Sequence, residues 1–317
     1  MNMKYSFVLP AYKARFFKEA LDSILNQTYN DFELIIVNDA SPEDLDSIVN
    51  SYDDFRIRYY KNERNIGGKD LVAQWNHCLE YAKGEFVILA SDDDVYHPEY
   101  LDKMNVLVDK FPDVNVFRPR IKWIDYNGDT INLDIEYKDR MSQLEFSILW
   151  FQGRISKGIP FYLFRRKNLM DIGGYINFPT AWFSDDATVI KLAKNDIIFT
   201  NDILFSFRDS GINISYSYNS KKMLCDKILA TESFYKWFIN EVKFMSCKNE
   251  RDLNNIRMIC STYLFRKNDH IIWQIQHSSY NKNMIDCWRL LNELEFLKNI
   301  DRVKIIYRVF IKCKLRI

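Results

Sequence analysis

Short apolar runs alternate with segments of helical period through the first 110 residues of the chain. Lys4 to Leu9 is a compact apolar run, and Ala14 to Asn26 carries Phe16, Phe17, Ala20, Leu21, Ile24 and Leu25 at the spacing of one helix face. Phe32 to Val37 reads as a buried strand, and Ser41-Pro42 offers the cap and first-turn chemistry of a second helix. Arg56 to Lys61 reads as a third strand, Lys69 to Lys83 as a helix closed by Gly84, and Glu85 to Ala90 as a fourth strand. His97-Pro98 then opens a helix that runs to about Lys110. Strands separated in this way by helices predict a parallel sheet with right-handed crossovers, covered on both faces.

Beyond Asp113 the pattern loosens. Val114 to Trp123 and Phe161 to Arg165 are strand-like, Asn127-Gly128-Asp129 is a hairpin-turn signal, and Thr188 to Ala193 reads as a helix. From Ser220 the chain has almost no Gly or Pro and reads as wholly helical, in four segments. Two regions follow from this: an α/β domain over 1–219 and a helical region over 220–317. The 317 residues, 47% hydrophobic and 27% charged with 9 Gly and 7 Pro, exclude collagen-like, low-complexity and disordered classes. A formal net charge of +1 hides a cancellation, because 220–317 holds 19 basic and 10 acidic residues, giving +9 there and −8 in 1–219.

The six cysteines are scattered without a CxxC pair or histidines at ligand spacing, which argues against structural zinc and against a disulfide framework. The N-terminal residues run straight into a strand with no apolar signal core, and no apolar run reaches the roughly 18 residues that cross a bilayer. The expected location is cytoplasmic, with attachment to the inner face of the membrane left open.

In a parallel sheet of this kind the ligand site lies beyond the carboxyl ends of the strands. The polar clusters fall there: Tyr12-Lys13 after strand one, Asn38-Asp39 after strand two, Asn62 to Asn65 after strand three, and Ser91-Asp92-Asp93-Asp94 after strand four. Three adjacent carboxylates repel one another unless solvent, a cation or hydrogen-bond donors offset the cost. A hard cation such as Mg²⁺ or Mn²⁺, shared with phosphate oxygens, suits them; a solvated acidic turn capping the next helix is the plainer alternative. Gly67-Gly68-Lys69 lacks the spacing of a P-loop and reads as a turn into a helix. Trp75, Tyr175 and Trp182 have the shape to stack on a sugar, although aromatic residues beside helices more often serve the core. His97 reads as a cap-region residue, and His270 and His277 have no third ligand.

Several ordered motifs resemble the family 2 glycosyltransferases. They are Ser6-Phe7-Val8-Leu9-Pro10-Ala11-Tyr12, the stretch Ala20 to Tyr29, Phe32 to Ser41, Asn65-Ile66-Gly67, Ala82 to Phe86, and Ser91-Asp92-Asp93-Asp94 through Pro98. The similarity covers about 4 to 110 well and 158 to 215 moderately. It implies a GT-A fold, a nucleotide-sugar donor, a divalent metal (Mn²⁺ or Mg²⁺) and inversion at the anomeric carbon. It would place Pro10, Ala11 and Tyr12 at the nucleoside, Asp39 on the base, Asn65 in the donor site, Asp92 near the ribose or sugar, and Asp93 with Asp94 on the metal. Ser91 stands where the family's motif has its first aspartate, and Asn38-Asp39-Ala40-Ser41 replaces the usual Asp-Asp-Gly-Ser. Arg208 and Ser215 fall where the family has a loop near the diphosphate.

Inverting transfer also needs a base on the acceptor side, which the family takes from a Glu-Asp pair before a helix. Trp182-Phe183-Ser184-Asp185-Asp186 resembles that segment. Registering on Leu192-Ala193 places the base on Asp185, the preferred alignment, and sliding by one places it on Asp186. A helix cap by Ser184 and Asp185 is compatible with either. A carboxylate of ordinary pKa would already be ionised at neutral pH.

The segment Asn299 to Ile317 alternates Arg302, Lys304, Arg308, Lys312, Lys314 and Arg316 with apolar residues, a pattern that suits either an interfacial helix on anionic lipid or a packed helix with a basic face. No nucleic-acid motif accompanies the charge. The expected function is transfer of a sugar from a nucleotide donor, UDP-linked, to a hydroxyl of a glycan or lipid-linked acceptor in cell-surface polysaccharide assembly. A sugar nucleotidyltransferase would need a Gly-rich basic loop after strand one, which Pro10 to Ala14 is not, and a non-catalytic nucleotide-sugar or glycan-binding module would bind donor without turnover.

Overall fold

The computed structural model describes residues 3–211 and 220–312. They pack as two compact units, 3–177 with 184–211 and 178–183 with 220–312. Ser215, expected near a diphosphate, lies outside the described residues.

The first unit runs β1 (Tyr5–Ala11), α1 (Phe17–Leu25), β2 (Phe32–Asn38), α2 (Leu45–Asn50), β3 (Ile57–Lys61), α3 (Leu71–Leu79), β4 (Phe86–Leu89), β5 (Val95–Tyr96) and α4 (Tyr100–Lys110). It continues through β6 (Val116–Ile124), β7 (Thr130–Leu133), β8 (Arg140–Met141), α5 (Gln143–Phe151), β9 (Leu163–Arg165), α6 (Arg166–Asp171), α7 (Ser184–Leu192) and β10 (Ile197–Arg208). One sheet takes the order β3-β2-β1-β4-β9-β6-β10-β5, with β7 on β6 and β8 on β10. The first four strands are parallel, as their alternation with helices predicts, and β9 enters antiparallel to both β4 and β6. Phe7, Val8, Leu34, Ile35 and Ile36 are all fully buried, which is why these strands read as unbroken apolar runs rather than alternating ones.

Several local expectations change. The second helix starts at Leu45 and is capped by Asp44, whose carboxylate accepts from the Ser47 N–H; Ser41 instead gives its hydroxyl to the Tyr12 carbonyl. Gly84 does not terminate a helix through a left-handed turn. A Cβ there would lie 2.7 Å from the Ser6 backbone nitrogen, so its smallness serves the close approach of the chain to β1. The Asn127-Gly128-Asp129 turn forms as predicted, with Gly128 at φ 90° between the antiparallel pair β6 and β7. Trp75 and Tyr175 are core residues in edge-on contact at 5.9 Å.

The second unit holds α8 (Lys221–Lys243), α9 (Glu250–Gln276), α10 (Met284–Glu293) and α11 (Asn299–Ile306), followed by a π-helical turn over Tyr307–Lys312. Leu224, Ile228, Ile271, Ile275, Leu290, Leu291 and Ile305 form its core. The short segment Phe178–Phe183 belongs here too, with Phe183 stacked on Phe234 at 4.6 Å and Trp182 on Trp273 at 6.1 Å. The tail does not split into one cationic and one apolar face. Ile305 and Val309 turn into the core, while Ile300, Val303 and Tyr307 form a second, exposed apolar stripe. Arg302 is taken up by Asn299 and the Leu294 carbonyl, and Arg308 by Asp269 and the Phe265 ring.

Gly84→Ala should lower the unfolding free energy by about 1–3 kcal/mol, the usual cost of forcing extra volume into a packed site. Chemical denaturation measures it, and wild-type stability in the variant would contradict the close-approach account.

Candidate active site

The carboxyl ends of β1, β2 and β4 meet in a network of charged side chains bonded to backbone amides. Asp39, after β2, is buried; its Oδ1 accepts from Asn62 Nδ2 and the Ile66 N–H, both at 2.8 Å, and its Oδ2 from the Gly67 N–H at 2.7 Å. Those three donors bind the 62–67 turn to the end of β2. They also occupy three of the roughly four acceptor positions of a carboxylate, leaving one for an outside partner. A Cβ on Gly67 would come within 3.0 Å of Asp39 Oδ2, so this turn needs glycine for close approach. Asn65, half-buried in the same turn, accepts from the Gly68 N–H.

The three aspartates after β4 have divided roles. Asp92 accepts from the N–H groups of Tyr12 and Lys13, at 2.9 and 2.7 Å, and so ties the end of β1 to the end of β4. Asp94, expected beside Asp93 as a metal ligand, is fully buried, with Ser91 Oγ and the Arg208 N–H bonded to it. It works as a clamp between β4 and β10. Asp93 stands half-buried between the two, hydrogen-bonded to Ser91. Burial and then the Asp92 charge push its carboxyl up to about 6, against the pull of Lys13. Asp94 is raised by burial and then by Asp93, and Asp92 by burial despite its two backbone donors.

Arg208 closes this region. It is buried at the end of β10, its Nε donates to the Asp93 carbonyl at 2.9 Å, its guanidinium pairs with Glu19 at 2.6 Å, and it lies 4.3 Å over the Phe16 ring. Tyr12 is 41% exposed, while Pro10 is half-buried and Ala11 fully buried, paired with Val37 and Asn38 of β2, so Tyr12 is the open residue of the expected nucleoside wall.

The second carboxylate cluster lies in the first turn of α7, where the helix dipole favours negative charge. Asp186 is buried and Asp185 is half-buried. Burial, then the charge of Asp186, push Asp185 up to about 7, so it is not the ordinary carboxylate that the sequence suggests. Asp186 is raised by burial, opposed by the charge of the Lys157 ammonium. Leu163 pairs with Ile88 across the antiparallel β4–β9 ladder, so the Lys157 to Tyr162 segment leading into β9 reaches the same sheet end as Ser91 to Asp94. Tyr162 feels both Asp185 and Asp186, which brings the acid pair to that end as well.

Trp150, Lys157 and Glu19 carry no motif, and nothing in their local sequence marks them; only the packing of α5, the 152–158 loop and α1 reveals their role. Among the described residues, no group of three or more His, Cys, Asp or Glu is arranged to hold a metal ion by itself. The donor set nonetheless fits Mg²⁺ or Mn²⁺ shared with a diphosphate, since such ions are commonly held by one or two carboxylates with phosphate oxygens and water completing the shell. Asp93 is the carboxylate placed to do so.

Comparison with known proteins agrees with this geometry. The family model described as glycosyl transferase family 2 matches residues 6–173. An uncharacterized glycosyltransferase of Rickettsia typhi is 35% identical over 104 residues, 32% of this chain and 31% of that protein. EpsE of Bacillus subtilis is 33% identical over 111 residues, 34% of this chain and 39% of that protein. The matches thus span about a third of the length of these relatives. Among solved structures, S. aureus TarS residues 1–349 in complex with UDP-GlcNAc superposes with a TM-score of 0.68 at 18% identity, covering 99% of this chain and 92% of that one. The mannosyltransferase PcManGT of Pyrobaculum calidifontis, in complex with GDP-Man and Mn²⁺, superposes with a TM-score of 0.55 at 15% identity, covering 99% and 86%. These likenesses support the GT-A type of fold, and with the family match over more than half of its length the chain belongs to glycosyl transferase family 2.

Proposed function

We propose that the protein moves a sugar from a nucleotide diphosphate donor, UDP-linked, to a hydroxyl of a glycan or lipid-linked acceptor, with inversion, in cell-surface polysaccharide assembly. The observation that carries the reading is the pair of carboxylate clusters, one clamped around Asp93 and the other in the first turn of α7 with Asp185 half-buried. The UDP-GlcNAc complex of TarS supports the choice of donor nucleotide.

In this reading Pro10, Ala11 and Tyr12 wall the nucleoside, the remaining acceptor position of Asp39 meets the base, and Asn65 and Asp92 border the ribose. Asp93 holds the divalent ion, and a bound Mn²⁺ or Mg²⁺ supplies charge stabilisation to the departing diphosphate. The acceptor oxygen attacks the anomeric carbon from the face opposite the diphosphate. The bond from that carbon to the diphosphate oxygen breaks, and the hydroxyl proton passes to Asp185. Asp186, buried, is the less reachable of the two, and its backbone N–H donates to Asp185 Oδ1 at 2.9 Å.

The location proposed is cytoplasmic, at the inner face of the membrane. No described helix is long and apolar enough to cross a bilayer. The exposed stripe of Ile300, Val303 and Tyr307, with Lys304 beside it, suits an anionic lipid surface.

Asp185→Asn should lower transfer by about 10²–10⁴-fold, the usual share of a general base, with UDP binding by calorimetry unchanged; Asp186→Asn should cost less. An Asp185→Asn enzyme that transfers sugar at the wild-type rate would remove the base assignment. For the membrane, the double variant Ile300→Ser/Val303→Ser should lose co-sedimentation with phosphatidylserine vesicles while keeping its helical circular dichroism. Equal recovery of variant and wild type sinks that part. Truncation of 299–317 is the poorer test, because it also strips Ile305 and Val309 from the core.

A further inference from the structure

Arg208 ends β10 with its positive charge inside the protein, at 1% exposure. A buried cation is costly unless it is paired and its N–H groups are met. Three other segments meet this one. From α1, Glu19 forms the ion pair at 2.6 Å, and the Phe16 ring lies 4.3 Å from the guanidinium. From the turn between β6 and β7, the carbonyls of Asp125 and Tyr126 accept from Nη1 at 3.2 and 3.3 Å. From the turn after β4, the Asp93 carbonyl accepts from Nε at 2.9 Å, and Asp94 Oδ1 accepts from the Arg208 backbone N–H at 2.8 Å.

The last two bonds act on consecutive residues. The main chain of Arg208 holds the side chain of Asp94, and the side chain of Arg208 holds the main chain of Asp93. The Asp93 carbonyl belongs to the planar peptide that joins it to Asp94, so its orientation sets the ψ angle of Asp93 and with it the direction in which the carboxylate leaves the turn. The far end of the fork is anchored in a turn that is itself closed. Asp125 Oδ1 accepts from the Asn127 and Asp129 N–H groups at 2.8 and 2.9 Å, Arg15 lies 4.1 Å over the Tyr126 ring, and the Asp209 N–H donates to the Ile124 carbonyl at 2.8 Å. A planar guanidinium with fixed donor directions transmits that placement, which a flexible ammonium would not. Buried in this way, with each nitrogen of the fork turned to a protein partner, Arg208 does not present itself to a diphosphate, the neighbour that the family resemblance gives to its segment.

We propose that Arg208 is a positioning residue of the donor site, its Nε–H holding the Asp93 carbonyl so that the Asp93 carboxylate is kept in the place where it takes the divalent ion. This role rests on the reading of Asp93 as the metal carboxylate. Glu19 and the 125–126 carbonyls set the plane of the fork, and the Arg208 N–H on Asp94 fixes the next residue of the same turn. Loss of the Nε donor should therefore weaken the metal and leave the metal-free nucleotide contacts as they are.

The test uses the full chain with Mn²⁺ and UDP as probes. Free Mn²⁺ is followed by its paramagnetic resonance signal during titration into protein saturated with UDP, against a control of UDP alone, and UDP binding in excess EDTA is followed by calorimetry. Arg208→Met keeps the apolar stem and has no donor, whereas Arg208→Gln is equally neutral but carries an amide nitrogen at the chain position of Nε, within reach of the Asp93 carbonyl. Mn²⁺ affinity should fall by about tenfold in Arg208→Met, the lower end of what losing the partner behind a metal ligand costs, and Arg208→Gln should recover most of it. UDP affinity in EDTA should match wild type in both. Wild-type Mn²⁺ affinity in Arg208→Met, or an equal loss in the Met and Gln variants, overturns the proposal. A fall of UDP affinity in EDTA in step with that of Mn²⁺ overturns it too, by making Arg208 a ligand of the diphosphate. Should both variants fail to fold, Glu19→Gln loosens the same fork from the half-exposed α1 side and should weaken Mn²⁺ by about twofold to fivefold, the range of an exposed ion pair; an unchanged affinity there counts equally against the proposal. A wild-type protein that takes up no Mn²⁺ refutes the metal reading of Asp93 and this role with it, whereas uptake that is the same in wild type and Arg208→Met refutes Arg208 alone.

Discussion

Crowded negative charge at the carboxyl ends of the strands is the constraint on which the rest of this unit depends. A buried carboxylate is tolerated when backbone N–H groups or cations engage it, and costs several kcal/mol when they do not. Asp39, Asp92 and Asp94 meet that condition with amides from Ile66, Gly67, Tyr12, Lys13 and Arg208. Each bond joins the end of one strand to the turn after another. The same contacts that make the charges bearable therefore fix the loops of the site.

What remains after this internal compensation is the functional part. Asp93 sits between two committed aspartates and is raised by burial and by Asp92. Asp185 sits beside Asp186 and is raised in the same way. In the proposed function each takes a partner from outside: a cation with a diphosphate for Asp93, an acceptor proton for Asp185. Arg208 links the first group to α1 through Glu19, with Lys13 also pulling on Asp93, and the Lys157 charge opposes the rise of Asp186.

Much of this was legible in the chain because the parallel strands are buried on both faces and appear as apolar runs with polar residues at their ends. The positions of Asp39, Asp92, Asp93 and the acid pair follow from that pattern together with the family resemblance. The division of labour among the three aspartates does not, since adjacent Asp residues look alike until Ser91 and Arg208 are seen to engage Asp94. β10 escaped because Asn201-Asp202 interrupts its apolar run where its register on β6 shifts. α5 escaped although its capping box, Ser142 with Glu145, is a readable start signal, since Gln143, Glu145 and Ser147 alternate with apolar residues before the all-apolar run Ile148 to Phe151, so no helical period shows. Lys157 over the Trp150 ring shows only once α5 and the loop after it are brought together. The basic tail suits either an interfacial or a packed helix in sequence, and packing divides its apolar residues between a core face and an exposed one.

The central claim, that Asp93 is left to be completed by a divalent cation and a diphosphate together, is tested most directly by calorimetric titration of UDP into the full chain with Mn²⁺ and again with excess EDTA. The account predicts at least about tenfold tighter UDP binding with Mn²⁺, equivalent to about 1.4 kcal/mol, and loss of that difference in Asp93→Asn. Equal UDP affinity with and without Mn²⁺ in the wild-type protein would contradict it.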